Sequence, residues 1–338
     1  MNYIGSKFTL SSFLEENIKQ TIKENDSKNL SECIFCDLFT GTAAVSKIFK
    51  TQVKKIIAND KEYYSFVLAK NYIKNHKTIK RKNELIEILN NLEKVKSKIS
   101  FNYSTCGNEK RQYFSESNAM KIDAIRSKIE EWKNEDFINE EEYFFLLTSL
   151  LESADKVANT ASVYGAFLKH IKKSAQKELI LKPAEFEINE NKHEIIHDIF
   201  QEDANILIKK IKGDILYLDP PYNAREYGAN YHLLNTIALY DNFIPKGKTG
   251  LREYEKSNWC KKDKVYKELE NLIKNADFKF IFLSYNDEGL LSLNQIKEIF
   301  EKYGKYDLKS KTYKRFKADN NRLNKKDDTT EYLHILIK

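Results

Sequence analysis

The chain has 338 residues, 41% of them apolar and 12% aromatic, enough for two domains with a sizeable core. Lysine and arginine outnumber aspartate and glutamate 57 to 50, and the net charge of +7 favours an anionic partner over a cationic one. Four scattered cysteines exclude a disulfide framework, and no apolar run of membrane length or signal peptide is evident, so a soluble cytoplasmic protein is expected.

Asn2–Lys7 forms a polar Gly-Ser turn with a lysine, followed by an amphipathic helix over about 9–24 whose Leu10, Phe13, Leu14, Ile18 and Ile22 share a face. Cys33–Phe39 reads as a buried strand. Its C-x-x-C has no second pair at zinc spacing, so Cys33 and Cys36 are expected as buried thiols. Thr40-Gly41-Thr42 then turns the chain into a helix near Ala43, making half of a nucleotide-binding βαβ unit. The three-glycine fingerprint that admits a pyrophosphate is missing. A cofactor without phosphates suits such a turn, and S-adenosylmethionine is one.

Val53–Ala58 is a second strand, ending in Asn59-Asp60. Asp60 lies 23 residues after Asp37, the spacing of an acidic residue that holds ribose hydroxyls. It also stands where a cap for a helix over 63–72 would stand, and the two roles are compatible.

Between 75 and 182 the alternation stops, and 83–99, 116–132 and 140–156 read as helices. From Lys74 to Lys133 there are 14 basic against 8 acidic residues. Lys110, Arg111, Gln112 and Tyr113 interleave charge, amide and aromatic groups, and Lys169, Lys172 and Lys173 follow a polar stretch. Such runs are usually solvated faces; in an insertion at a sheet's ligand edge they raise the odds of nucleic-acid contact.

After His193 the sheet pattern returns. Asp203 precedes a short helix, and Gly213–Leu218 is a strand stopped by Asp219-Pro220-Pro221-Tyr222. Two prolines cannot continue a ladder, so they make a rigid turn at a strand's carboxyl end, where open α/β sheets bind ligands. The Asp219 carboxylate and a proline carbonyl can each accept one hydrogen of an exocyclic amine while Tyr222 stacks on the heterocycle. A polar stretch over 223–230 follows, then a helix over 231–240, a strand over 278–283 and a helix over 296–303. A hairpin of 306–316 with 331–337 is expected at the sheet edge, flanking a polar segment with Arg322, Lys325 and Lys326.

Together these stretches resemble the Dam-like, alpha-group DNA adenine methyltransferases of restriction–modification systems. Tyr3–Lys7 looks like the N-terminal cofactor motif, Asp37–Thr42 the glycine motif, Asn59-Asp60 the ribose motif and Asp203 the carboxylate near the cofactor adenine. Asp219, Pro220, Pro221 and Tyr222 match the catalytic tetrapeptide, and 282–286 and 330–333 match later strands. Ala43-Ala44 departs from the family, where many members have a second glycine or serine.

The resemblance implies an α/β, Rossmann-like S-adenosylmethionine-dependent sheet built from 1–74 and 190–338, with a mainly helical target-recognition insertion over 75–189. Cofactor contacts are expected from Tyr3, Lys7, Asp37, Phe39, Gly41, Thr42, Asp60 and Asp203, with no metal. DNA contacts are expected from Lys110, Arg111, Gln112, Tyr113, Lys169, Lys172, Lys173, Arg225 and Asn230. The implied reaction is methylation of adenine N6 in double-stranded DNA after base flipping. The implied organisation is a monomer or weak dimer, with any cognate restriction endonuclease acting separately. An RNA or cytosine amino-methyltransferase, or a DNA-binding subunit without activity, are the alternatives.

Overall fold

The computed structural model describes residues 7–161, 163–189, 197–314 and 328–338. Two compact units emerge. One contains described residues 7–69, 197–226, 256–314 and 328–338; the other contains 70–161, 163–189 and Tyr227–Glu255.

The first unit is built on a sheet of seven strands among the described residues: β1 (Ile34–Asp37), β2 (Lys55–Asn59), β3 (Asp198–Phe200), β4 (Lys212–Leu218), β5 (Asp277–Asn286), β6 (Lys305–Lys314) and β7 (Asp328–Ile337). Their order is β3-β2-β1-β4-β5-β7-β6. The first five run parallel, and β7 enters antiparallel between β5 and β6. Parallel strands are covered on both faces and so read as continuous apolar runs. Ile215, Leu216, Tyr217 and Leu218 of β4 are all buried, as are Phe280–Leu283 of β5. One buried cluster joins Leu216, Leu218, Ile281 and Leu283 to Leu269 and Leu272 of the helix Val265–Asn275 and to Ile296 and Phe300 of Leu293–Glu301. Burying each such side chain contributes roughly 1.5–3 kcal/mol. On β1, Phe35 stacks on Phe49 of the helix Ala44–Phe49 at 4.4 Å. Strand approach is close at Gly213, where a Cβ would lie 2.7 Å from the Phe278 ring and 3.0 Å from Ile34.

The hairpin expected over 306–316 and 331–337 forms as β6 and β7, with β6 at the edge. Cys33 and Cys36 are buried thiols, as expected. The three-residue β3 was not anticipated.

The second unit is helical. Lys82–Asn90, Lys98–Tyr103, Glu116–Asn134, Glu140–Val157 and His232–Leu239 supply most of it. The expected single helix over 83–99 is two. Its second part begins anew because the buried Asp123 carboxylate accepts from the backbone N–H groups of Ser97, Ile99 and Ser100 at 2.8–3.0 Å. Arg126, also buried, donates to the Ile237 and Ala238 carbonyls and so caps the end of His232–Leu239. Tyr227–Glu255, placed by sequence with the sheet, groups with these helices. No helix among the described residues is long and apolar enough to cross a membrane.

Candidate active site

The carboxyl ends of β1 and β4 lie side by side: Asp37 is in register with Tyr217, and Leu38 N–H donates to the Tyr217 carbonyl at 3.2 Å. This brings the Asp37–Thr42 turn and the Asp219–Tyr222 turn to the same edge of the sheet.

Asp37 is buried. Its Oδ2 accepts from Ser46 Oγ at 2.7 Å, while Oδ1 has no hydrogen-bond partner among the described residues. Burial pushes the Asp37 carboxyl up to about 6 despite that bond. Thr40 N–H donates to the Asn59 carbonyl, and Gly41 takes a left-handed φ of 52°. Gly41 N–H donates to Asp60 Oδ2 at 2.8 Å, and Glu62 N–H donates to Asp60 Oδ1 at 2.9 Å. Asp60 therefore ties the turn after β1 to the loop after β2, and burial pushes its carboxyl up to about 7. Ala43 has a φ of 59°, a region costing a non-glycine residue roughly 1–2 kcal/mol. The departure from the family pattern thus falls on a backbone position that favours glycine, and the helix starts one residue later, at Ala44.

Phe39 sets its ring edge against Trp259 at 5.2 Å, and Thr42 is partly exposed beside it in sequence. Asp203 Oδ1 accepts from Asn205 and Ile206 N–H groups and caps the short helix Ala204–Leu207. Tyr3, Ser162, Arg322, Lys325 and Lys326 lie outside the described residues.

Lys7 does not stand apart at the cofactor turn. Its ammonium, buried together with Glu331, lies 2.9 Å from Oδ1 of the half-buried Asp219 and 3.0 Å from Glu331 Oε1. Burial works against the charge on Lys7, but Asp219 and Glu331 outweigh it and hold its pKa well above the usual value. Burial pushes the Asp219 carboxyl up to about 7, Lys7 opposing and Glu331 adding. Pro220 is buried and Pro221 half-buried, which leaves the turn little freedom. Tyr222 is fixed from two sides: its carbonyl accepts from Leu290 N–H at 2.8 Å, and its ring meets Tyr285 edge-on at 6.4 Å. Gly289 gives Tyr285 its place, since a Cβ there would fall 2.0 Å from the ring.

Residues 3–302 match the family described as D12 class N6 adenine-specific DNA methyltransferases. The chain belongs to this family. It is 58% identical to the type II methyltransferase M.NlaIII of Neisseria lactamica, covering 100% of this chain and 99% of that protein. It is 38% identical to M.CviAII of Paramecium bursaria Chlorella virus 1, covering 99% and 98%. Against M.FokI of Planomicrobium okeanokoites it is 39% identical over 94% of this chain, but spans only 50% of that longer protein.

The methyltransferase transfers a methyl group to adenine N6 in DNA, and the RNA, cytosine and inactive-subunit readings are not favoured. Its expected DNA contacts divide. Lys110, Lys169, Lys173 and Arg225 are exposed, while Gln112 and Asn230 are half-buried. Arg111 and Tyr113 are corrected: both are buried. Arg111 donates to the Asn102 and Gly247 carbonyls, and Tyr113 hydroxyl donates to the Tyr164 carbonyl at 2.7 Å. Desolvating them in the helical core leaves neither presented to a phosphate or base edge. Lys172 is half-buried too, its ammonium donating to the Thr160 carbonyl at 2.8 Å. Sequence reasoning had no role for Trp259, Tyr285 or the carboxylate of Glu331. Only Glu331 carried a signal, as a buried-strand position that holds an acid.

Proposed function

We propose that the methyl donor is S-adenosylmethionine, that the enzyme is a Dam-like, alpha-group member of a restriction–modification system, and that the helical unit reads the DNA target. When bound, S-adenosylmethionine supplies an electrophilic methyl group on a sulfonium. The residues present fit it. Asp37 Oδ1 is a buried acceptor with nothing to accept from among the described residues, which suits an ammonium such as the donor's amino-acid end. Asp60 and Asp203 add carboxylates for ribose hydroxyls and an adenine amine, and Phe39 an apolar face. Tyr3, Lys7, Gly41 and Thr42 complete the proposed set, with Lys7 acting through Asp219.

On the acceptor side, Asp219 and the Pro220 carbonyl accept the two hydrogens of the target amine. This turns the nitrogen lone pair away from the ring and orients it for attack. An Asp219 carboxyl poised near 7 can also take the proton that the amine loses. Pairing hides that amine inside a duplex, so the base is flipped out and stacks on Tyr222. Exposed Lys110, Lys169 and Lys173 support DNA binding by the helical unit, and Arg225 supports it beside the tetrapeptide.

The observation that carries this reading is the Asp219 turn at the end of central β4, level with the Asp37 turn of neighbouring β1. Isothermal titration with S-adenosylmethionine, beside transfer of a radiolabelled methyl group to DNA, tests it. Asp219→Ala should bind the donor within a few-fold of wild type and transfer nothing. Retained transfer would remove Asp219 from the chemistry.

A further inference from the structure

Resting on the reading of Asp219 as the acceptor-side carboxylate, we infer that Glu331 is a positioning residue for methyl transfer. It holds the Lys7 ammonium in shared contact, so that Lys7 steadies Asp219 without engaging it alone. The cluster is assembled from parts far apart in the chain. Asp219 follows β4, Ser284 lies on β5, Glu331 on β7 and Tyr313 on β6. Glu331 is 1% exposed, and its carboxylate is held on both oxygens. Oε1 accepts from Ser284 Oγ at 2.6 Å and faces Lys7 at 3.0 Å; Oε2 accepts from the Tyr313 hydroxyl at 3.4 Å. Lys7 is as deeply buried, whereas the Asp219 side chain keeps 18% of its surface exposed. Of the three charges, Asp219 alone has an appreciable opening toward a substrate.

A buried ammonium with one carboxylate partner would place its donors on that partner. Those oxygens then have less capacity for the hydrogens of an amine, and the carboxylate becomes a weaker base. A second carboxylate at nearly the same distance divides the ammonium and leaves one net negative charge. The groups facing Asp219 are Lys7, Glu331, Asp37, Tyr217 and Tyr222; Lys7 faces Asp219, Glu331 and the Tyr217 and Tyr222 phenols. Burial raises the proton affinity of Asp219 most; Lys7 lowers it and Glu331 raises it, so changing either member of the pair shifts where Asp219 titrates.

The test is the single-turnover rate of methyl transfer to unmethylated plasmid DNA, measured from pH 5 to 9 with tritiated S-adenosylmethionine. Glu331→Gln keeps the size of the side chain and an oxygen for Ser284. It should move the acid limb of the rate profile down by roughly half a pH unit or more, because a like charge beside Asp219 is removed. The plateau rate should fall at least roughly threefold through lost placement, with the donor dissociation constant within about twofold of wild type. Lys7→Gln should move the same limb up. A purely structural Glu331 would lower the melting temperature and leave the limb where it is. An unmoved limb and plateau in Glu331→Gln, with Asp219→Ala inactive, would overturn the role of Glu331 and leave the site standing. Full transfer by Asp219→Ala would overturn both.

Discussion

Replacing Lys7 by methionine removes one buried cation and leaves the buried Glu331 carboxylate beside the half-buried Asp219. At 2.9 and 3.0 Å each ion pair is worth about 5.5 kcal/mol of Coulomb attraction at an effective dielectric of 20, much of it offset by desolvation. Breaking a buried pair by removing one partner costs about 3–5 kcal/mol. The cost has a ceiling, since protonating a carboxylate of ordinary pKa near 4 at pH 8 takes roughly 5 kcal/mol. The sign of the pH dependence follows. Asp219 already sits near 7 with the lysine present and rises further without it, so the folded variant holds an extra proton. Stability relative to wild type is therefore lost as pH rises and regained as it falls toward 5. Lys7 itself, raised above its ordinary value, stays charged across that window and adds no slope. Urea unfolding read by Trp259 fluorescence in a Trp132→Phe background reports on the sheet unit alone, the chain having two tryptophans. Lys7→Met should lose about 3–5 kcal/mol at pH 8, and about 1 kcal/mol less at pH 5.5, where Asp219 near 7 is already protonated in the wild type as well. A loss under 1 kcal/mol at pH 8, or one independent of pH, would refute the buried-triad account.

Asp60→Ala should raise the dissociation constant for S-adenosylmethionine at least roughly tenfold in titration calorimetry, by losing a carboxylate and freeing the Gly41 turn; an unchanged constant would leave Asp60 only its structural bonds. Neutralising Lys169 and Lys173 together should weaken binding to any duplex and reduce the salt slope by about 2, whereas Arg111→Met should lower the melting temperature and leave the slope alone. With 2-aminopurine at the target position, binding should raise fluorescence as the probe leaves the stack, and Tyr222→Ala should weaken that complex by about 1–3 kcal/mol. A probe that stays quenched in a sequence-specific complex contradicts flipping.

Most of the sheet was legible because its strands are continuous apolar runs ended by polar turns, as at Gly213–Leu218 before two prolines. β3 has three half-buried residues and offers no such run. The split of the expected 83–99 helix depends on Asp123, some 25 residues away, which no local periodicity reports. The site was legible where one short segment carries the chemistry, at Asp37–Thr42 and Asp219–Tyr222. It was not legible where partners come from opposite ends of the chain, as with Lys7 and Glu331. Interleaved basic and aromatic residues did not separate exposed Lys110 from buried Arg111 and Tyr113, because burial there is decided by Tyr164, His232 and Gly250 packing around them.

The most direct measurement is nucleoside analysis of DNA from a host without its own adenine methylation, expressing either the wild-type chain or Asp219→Ala. The account predicts N6-methyldeoxyadenosine with the wild type, confined by single-molecule sequencing to one short motif, and none with the variant. N4-methylcytosine in place of methyladenine, or methyladenine persisting with Asp219→Ala, would contradict it.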